Sequence, residues 1–327
     1  KAVSAYDRAV LIRKASSLIR EREDRIATLL TLEEGKTLQE ARLEIRAAAD
    51  TIDWYADEGR RAYGRIIPPR MEGQLQLVLR EPVGPVAAFS PWNFPALTPA
   101  RKIAASVAAG CSCIIKPSEE TPYTCFEFVK AFIDAGLPDG VLNLVYGVPA
   151  EVSQKLISSP IIRKFTFTGS TGVGKQLGKL AAETVTRATL ELGGHAPVLI
   201  FNDADVVSAA NTLVAAKYRN AGQICIAPTR FYIQSEVYDQ FVDLFVEKTK
   251  NIRVGNGLEA SSQMGPLANS RRIEAMDDLL HDAVSRGAKL RTGGQRIGNV
   301  GNFYQPTVIS EVDEEARIMN DEPFGPI

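Results

Sequence analysis

Lys164-Phe165-Thr166-Phe167-Thr168-Gly169-Ser170-Thr171-Gly172-Val173-Gly174-Lys175 reads as a strand, a glycine-marked turn and the opening of a helix. Glycines at such a turn let backbone amides and a helix N-terminus approach a phosphate. The spacing from Gly169 to Gly174-Lys175 meets most of the P-loop pattern, but Gln176 stands where a Ser or Thr hydroxyl must hold magnesium, which disfavours a nucleoside triphosphatase. Nor does it match the G-x-G-x-x-G dinucleotide fingerprint. Taken by itself the turn is equally a phosphate loop or a plain connection.

Around this stretch, apolar runs alternate with helical patterns. Strands are expected at Val86 to Ser90, Cys113 to Lys116, Val141 to Tyr146 and Lys164 to Thr168, with helices from about Thr98, from Tyr123, around Val152 and from Val173. That alternation predicts an α/β fold with a parallel sheet. The first 60 residues read as helices, with Val10, Leu11, Lys14 and Leu18, then Ile26, Leu29 and Leu30, along one side. Tyr63 to Arg80 passes through Pro68-Pro69 into an alternating Gln74 to Arg80 run, which reads as an exposed strand or hairpin. After Gly193-Gly194 the pattern restarts: strand Ala196 to Phe201, helix Asp205 to Arg219, strand Phe231 to Gln234, and helices Tyr238 to Asn251 and Ser270 to Arg286. We place a domain boundary there. The chain opens mid-pattern at Lys1 and closes at Ile327, so it reads as a fragment missing both ends.

The 327 residues, 45% hydrophobic, suffice for two domains of ordinary size. Thirty-eight basic against 39 acidic residues leave no basic groove interleaved with aromatics, so nucleic acid is not an expected partner. The apolar runs are too short to span a bilayer, and a cytoplasmic setting with reduced thiols is expected. Cys111 and Cys113 have the wrong spacing for a zinc knuckle and, with Cys125, read as core; no metal is expected.

Only His195 and His281 are available, so few Ser/His or Cys/His couples can be built. Two other residues draw attention. Cys225, in Gly222-Gln223-Ile224-Cys225, is either a nucleophile or a packed thiol. Glu191, in Leu190-Glu191-Leu192-Gly193-Gly194, is either solvated or a partly buried base whose pKa burial would raise. Pro91-Trp92-Asn93-Phe94-Pro95 follows an apolar strand, and Asn93 is either an amide that the flanking prolines fix as an oxyanion donor requires or a turn residue bonding its own backbone. Lys116-Pro117-Ser118-Glu119 follows another strand, at the end where open α/β sheets place ligands.

Together, Pro91-Trp92-Asn93-Phe94-Pro95, Lys116-Pro117-Ser118-Glu119, Phe167-Thr168-Gly169-Ser170, Glu191-Leu192-Gly193-Gly194, Gly222-Gln223-Ile224-Cys225 and Glu322-Pro323-Phe324-Gly325-Pro326 resemble the aldehyde dehydrogenase superfamily in order and spacing. The match covers essentially the whole chain. Within the superfamily it is most similar to the succinate-semialdehyde dehydrogenase branch. The resemblance implies a Rossmann-like NAD-binding domain (1–63 and 82–193), an oligomerisation β-ribbon (64–81) and an α/β catalytic domain (194–327). It makes Cys225 the nucleophile, Glu191 the base for water, and the Asn93 side chain with the Cys225 N–H the oxyanion hole. Pro91, Trp92, Lys116, Ser118, Glu119, Gly169, Ser170, Leu192, Glu322 and Phe324 would contact the cofactor, with Lys116 and Glu119 at the adenosine ribose and Glu322 at the nicotinamide ribose.

A carboxylate at position 119 accepts from a free 2′-hydroxyl but repels a 2′-phosphate, so NAD is expected over NADP. Ala227 stands where some branch members carry a second cysteine, so no local disulfide switch is expected. Arg230 either pairs with a substrate carboxylate or is structural. The implied activity is NAD-dependent oxidation of a small semialdehyde, such as succinate semialdehyde, by a homodimer or homotetramer. The alternatives are another aldehyde, a cofactor-independent esterase or amidase, and a dinucleotide-binding fragment without turnover.

Overall fold

A computed structural model describes residues 3–327 of the chain. It divides into two units. The first holds the residues up to Leu29 together with Arg42–Leu192, and the second holds Leu30–Ala41 with Gly193–Ile327.

Three helices lead: α1 (Ala5–Glu21), α2 (Glu23–Glu34) and α3 (Leu38–Arg60). Ser4 caps α1 by accepting the Asp7 N–H. The buried face of α1 is Ala9, Ile12, Ala15, Ser16 and Ile19. This corrects the expected stripe, because Val10 and Lys14 are exposed. Small Ala15 and Ser16 permit a close approach, and Ser16 Oγ donates to the Ala49 carbonyl of α3 at 3.0 Å. Next comes an antiparallel ribbon, β1 (Arg65–Ile67) and β2 (Gln76–Val78), exposed along both strands.

The core of unit 1 is a parallel sheet of β3 (Val86–Phe89), β4 (Cys113–Lys116), β5 (Leu142–Leu144), β6 (Lys164–Thr168) and β7 (Arg187–Glu191), in the order β5-β4-β3-β6-β7. Four helices make the crossovers: α4 (Leu97–Ala108), α5 (Pro122–Asp134), α6 (Pro149–Ile157) and α7 (Thr171–Ala182). β3 is buried along its length, as a central strand covered on both faces should be. Ala87, Phe89, Ile157, Ile162, Phe165, Phe167, Leu177 and Ala181 form one apolar cluster. The order runs outward from β3 on one side and from β6 on the other, so the switch point lies between them. Open α/β sheets bind ligands beyond the carboxyl ends of the strands at such a point. β7 has no apolar run because it is an edge strand with mostly exposed side chains, and no strand was expected there.

Unit 2 contains β8 (Ala196–Ile200), α8 (Val206–Tyr218), β9 (Pro228–Ile233), α9 (Ser235–Lys250), α10 (Ser270–Ser285), β10 (Lys289–Thr292), β11 (Val308–Ser310) and α11 (Arg317–Asn320). β8 and β9 pair in parallel, β10 and β11 antiparallel. Phe231, Phe241 and Phe245 stack in its core with Met276 and Tyr304. Leu30–Ala41, which the sequence division placed with residues 1–63, belongs here for a steric reason. An added Cβ on Gly265 would lie 2.0 Å from the Gly35 carbonyl, and one on Gly257 would lie 2.4 Å from the Lys36 carbonyl. The Leu38 N–H donates to the Gly257 carbonyl at 2.8 Å. Among the described residues no helix is long and apolar enough to cross a membrane.

Candidate active site

In unit 1 the candidate residues collect at the carboxyl ends of the strands. Asn93 follows β3 and is buried, between half-buried Trp92 and Phe94. The helix after it, α4, has no side-chain cap of its own. Instead Glu44 of α3, itself buried, accepts the Ala96 and Leu97 N–H groups at 2.8 and 3.0 Å. A carboxylate at a helix N-terminus satisfies orphan donors and the dipole together. It holds the end of the Pro91-to-Pro95 loop. The sequence reading missed Glu44, whose only signal is its place among the apolar positions of an amphipathic helix.

Lys116 closes β4 and is buried; its ammonium donates to the Pro117 carbonyl at 3.0 Å and pairs with exposed Glu119. Ser118 Oγ accepts the Glu120 N–H at 3.3 Å, shaping the turn that carries Glu119. After β6, Gly169 and Ser170 alone connect strand to helix, and Ser170 caps α7 by accepting the Val173 N–H. Gly169 donates its N–H to the Glu191 carbonyl at 3.0 Å, joining the ends of β6 and β7. A Cβ on Gly169 would lie 2.5 Å from the Phe167 ring, and one on Gly174 would lie 2.4 Å from Leu192. Gly174 lets α7 pack close to Leu192, and Gly169 leaves room for the Phe167 ring.

Glu191 is exposed, which corrects the expectation of partial burial. It ends an edge strand, and its leucine neighbours do not enclose it. Lys102 of α4, 7% exposed, feels its negative charge: burial brings the ammonium down to about 8, an effect Glu191 partly offsets, and Nζ donates to Thr166 Oγ1 at 3.0 Å. Lys102 was not singled out from sequence, where it is one charge in an alanine-rich helix.

In unit 2 the turn that ends α8 leads to Cys225. Asn220 and Ala221 are left-handed (φ 50° and 52°), and Gly222 follows at φ 72°. Left-handed backbone costs a residue with a side chain about 1–3 kcal/mol, so the surroundings must enforce it. Gln223, fully buried, donates to the Asn220 carbonyl at 3.1 Å and accepts the Ala268 N–H at 3.0 Å. Glu40 accepts the Asn220 N–H at 2.7 Å. A Cβ on Gly222 would lie 2.2 Å from the Gly325 carbonyl, and buried Lys217 donates to that same carbonyl at 3.0 Å. Beyond this braced turn the Cys225 thiol is exposed, while Cys111, Cys113 and Cys125 are buried. Ala227 is buried two residues later.

Glu322 is half-buried, and its Oε1 is enclosed without a hydrogen-bond partner among the described residues. Burial raises its pKa, against the pull of the Gly194 N–H and Arg272. A Cβ on Gly193 would lie 2.1 Å from Glu322 Oε2, so a side chain there would displace that carboxylate. Arg272 donates to the Pro323 carbonyl and lies over the Phe324 ring, 5.9 Å from its centroid, where Phe324 is left-handed at φ 48°.

His195 is not a ready base. His195 Nε2 lies 2.6 Å from the Asp321 carbonyl and must donate, leaving Nδ1 to accept from the Thr229 hydroxyl at 2.7 Å. Burial lowers its pKa, which keeps the ring neutral. His281 lies exposed on α10. Arg230 donates to the His195 carbonyl at 3.2 Å, and its Nε is buried without a partner among the described residues. Its guanidinium therefore braces the His195 loop, and the geometry adds no support for a substrate-pairing role.

One unit is an α/β unit whose parallel sheet carries ligand-type loops at its switch point, and the other presents one exposed thiol on a strained turn. The aldehyde dehydrogenase family model matches residues 1–327, and the chain belongs to that family, whose members are NAD- or NADP-dependent enzymes that oxidise aldehydes. It is 50% identical over 325 residues to a putative 4-(hydroxymethyl)benzenesulfonate dehydrogenase of Comamonas testosteroni, covering 99% of this chain and 68% of that protein. It is 39% identical over 327 residues to the succinate-semialdehyde dehydrogenase [NADP(+)] of Escherichia coli, covering 100% of this chain and 68% of the relative. The crystal structure of a succinate-semialdehyde dehydrogenase from Burkholderia pseudomallei superposes with a TM-score of 0.97 at 40% identity, over 99% of this chain and 67% of that one. The chain spans about two thirds of the length of these relatives.

Proposed function

We propose that this protein oxidises an aldehyde bearing an anionic tail to the carboxylic acid with NAD, through a thioester on Cys225. The observation that carries this reading is the exposure of one thiol out of four, on a strained and braced turn, in a chain of this family. On this reading unit 1 binds the dinucleotide, unit 2 carries the thiol, and the β1–β2 ribbon serves homodimer or homotetramer formation in the cytoplasm.

The residues suit the cofactor. The loops after β3 and β6 lie at the switch point, Gly169 and Ser170 open a helix, and the enclosed Glu322 Oε1 is an acceptor that a ribose hydroxyl would satisfy. Pro91, Trp92, Lys116, Ser118, Glu119, Leu192 and Phe324 complete the assigned set. NAD, when bound, supplies the hydride acceptor. Cys225 attacks the aldehyde carbon, and the Asn93 amide with the Cys225 N–H stabilises the resulting oxyanion. The hydride would pass to that acceptor, and the acyl group would remain on the Cys225 sulfur as a thioester. Glu191 then takes a proton from the water that hydrolyses this thioester, help of a kind typically worth about 10²–10⁴ in rate. Its exposure suits a group that must meet water.

The anionic tail is inferred from two kinds of relative, one named for succinate semialdehyde and one for an aromatic sulfonate. Succinate semialdehyde or a similar small semialdehyde is the first candidate; the second is an aromatic aldehyde with a sulfonate, taken from the sulfonate in the name of the 50% relative, which itself names a hydroxymethyl compound. NADH formation across both aldehyde classes, with Cys225→Ala and Glu191→Gln as controls, tests the assignment. Cys225→Ala should abolish turnover, and full activity would refute the nucleophile. Glu191→Gln should leave a burst of NADH followed by slow turnover; unchanged steady-state turnover would refute the base. NAD should exceed NADP in kcat/KM, and equal values would remove the argument from Glu119.

A further inference from the structure

We propose that Glu40 is a positioning residue for the nucleophile, holding the left-handed turn that presents Cys225. The proposal rests on the reading of Cys225 as nucleophile. Glu40 lies at the start of α3 and divides its carboxylate between two tasks. Its Oε2 accepts the N–H and the hydroxyl of Thr37, both at 2.9 Å, while the Thr37 hydroxyl accepts the Glu40 N–H at 3.3 Å. That reciprocal arrangement is a capping box, and it fixes the side chain's rotamer. Its Oε1 accepts the Asn220 N–H at 2.7 Å. Residues 180 positions apart are thus tied by a charge-assisted bond.

The place of that bond in the turn gives it a consequence. Asn220 is the first of three successive residues with positive φ, and two of them carry side chains. A residue with a Cβ stays left-handed only where its surroundings overdetermine it. Gln223 holds the Asn220 carbonyl and Glu40 holds the Asn220 N–H, so both polar groups of that residue's backbone are clamped. Without Glu40 the turn is free to relax toward ordinary backbone. The peptide from Gln223 to Cys225 would move with it, carrying both the thiol and the Cys225 N–H assigned to the oxyanion. The steric fit of Gly35 and Lys36 against Gly265 and Gly257 keeps the start of α3 in place for this task.

The test compares Glu40→Ala, the milder Glu40→Asp, Thr37→Ala, Ala221→Gly and the double variant Glu40→Ala/Ala221→Gly, with Cys225→Ala alongside. Two readouts are followed: kcat and KM for NAD in NADH formation, and the rate at which iodoacetamide alkylates Cys225 in the native protein. Glu40→Ala should lower kcat by about tenfold or more, since misplacement by about 1 Å can cost 10²-fold, and should leave KM for NAD within about twofold. Its alkylation rate should change by about fivefold or more. Glu40→Asp, which keeps the charge but shortens the reach, should shift both the same way by less. Thr37→Ala removes the hydroxyl bond to Oε2 but leaves the Thr37 N–H that also anchors it, and should move both readouts by less than Glu40→Ala. Glycine at 221 removes part of the backbone strain, so the double variant should recover most of the lost kcat.

Wild-type kcat and alkylation in both Glu40 variants would overturn the proposal. So would equal losses in Thr37→Ala, which would reduce Glu40 to a helix cap, or no recovery in the double variant. If Cys225→Ala kept its activity, the nucleophile assignment would fall by itself, and the alkylation rates would still decide whether Glu40 holds the turn.

Discussion

Lys217 gives a stability prediction that can be worked through from its surroundings. It lies in the last turn of α8, 2% exposed, and donates to the Gly325 carbonyl at 3.0 Å. Burial alone brings its pKa down from 10.5 to about 7. A fall of that size corresponds to about 5 kcal/mol by which the site disfavours the ammonium relative to the neutral amine. The folded pKa lies below the unfolded one, so between about pH 7 and 10.5 the unfolded chain holds a proton that the native state has released. Stability therefore rises with pH through this window, and the burial penalty is felt in full below pH 7. From pH 7 to 9 the gain should be about 2 kcal/mol. The assay is unfolding by urea at steps between pH 6 and 9, wild type against Lys217→Met. Methionine has similar length and no proton to bind, so the difference isolates this group. Loss of the bond to Gly325 adds an offset of about 1–3 kcal/mol that does not vary with pH. Wild type should gain on the variant by about 2 kcal/mol over the range. A difference flat to within about 0.5 kcal/mol would refute the reasoning, because Lys217 would then titrate as a solvated lysine does.

Gly222→Ala combines a positive φ with a Cβ placed 2.2 Å from a backbone oxygen, and should cost more than about 2 kcal/mol in unfolding measurements. Gly178→Ala is the control: it lies within α7, its added Cβ meets nothing nearer than 3.9 Å, and it should stabilise by up to about 1 kcal/mol. His195 is held below its ordinary pKa, chiefly by burial, so the native state resists protonation and stability should fall as pH drops through 6. His195→Gln should flatten that fall, which thermal midpoints between pH 5 and 7 would register. Thiol titration of the native protein should find one fast cysteine, Cys225, with the other three reacting only on unfolding; rapid labelling of any other cysteine would contradict the buried thiol cores.

Periodicity exposes the parts of this fold that bury a continuous surface. β3 and β4 are covered on both faces and read as apolar runs, β6 reads by its alternation with Phe165 and Phe167 buried, and the crossover helices between them carry regular stripes. β7 escaped because an edge strand has no such requirement: Arg187, Ala188 and Thr189 are exposed, and its order comes from backbone pairing with β6. The start of β9 was hidden for a different reason. Arg230 pairs with Pro197 of β8 and Thr229 falls at the irregularity before it, and both give their side chains to His195, so they carry no apolar signal. On α1 the apolar residues were visible, but which face they serve depends on Ala15 and Ser16, whose smallness acts through closeness to α3.

The same distinction separates two kinds of residue at the candidate site. Groups assigned to chemistry sit in short segments marked by glycine and proline at strand or helix ends, where backbone geometry restricts the choice of residue. Asn93, Gly169, Glu191 and Cys225 could be picked out for that reason. Glu40, Glu44, Lys102, Lys217 and Arg272 are ordinary charged residues on helices, and nothing local separates them from a solvated face. Each acquires a role only because a distant segment brings a backbone group or a charge to it: Asn220 to Glu40, Ala96 to Glu44, Gly325 to Lys217, Pro323 to Arg272. Glu44, Lys102 and Lys217 are buried, and a buried charge costs several kcal/mol unless hydrogen bonds offset it. Three of these five hold a loop that bears a candidate site residue, and a fourth, Lys217, ties its helix to the carbonyl after Phe324. For Glu44 that cost falls at the loop that carries Asn93, and for Lys217 at the carbonyl after Phe324, places where movement of about 1 Å would displace a candidate site residue.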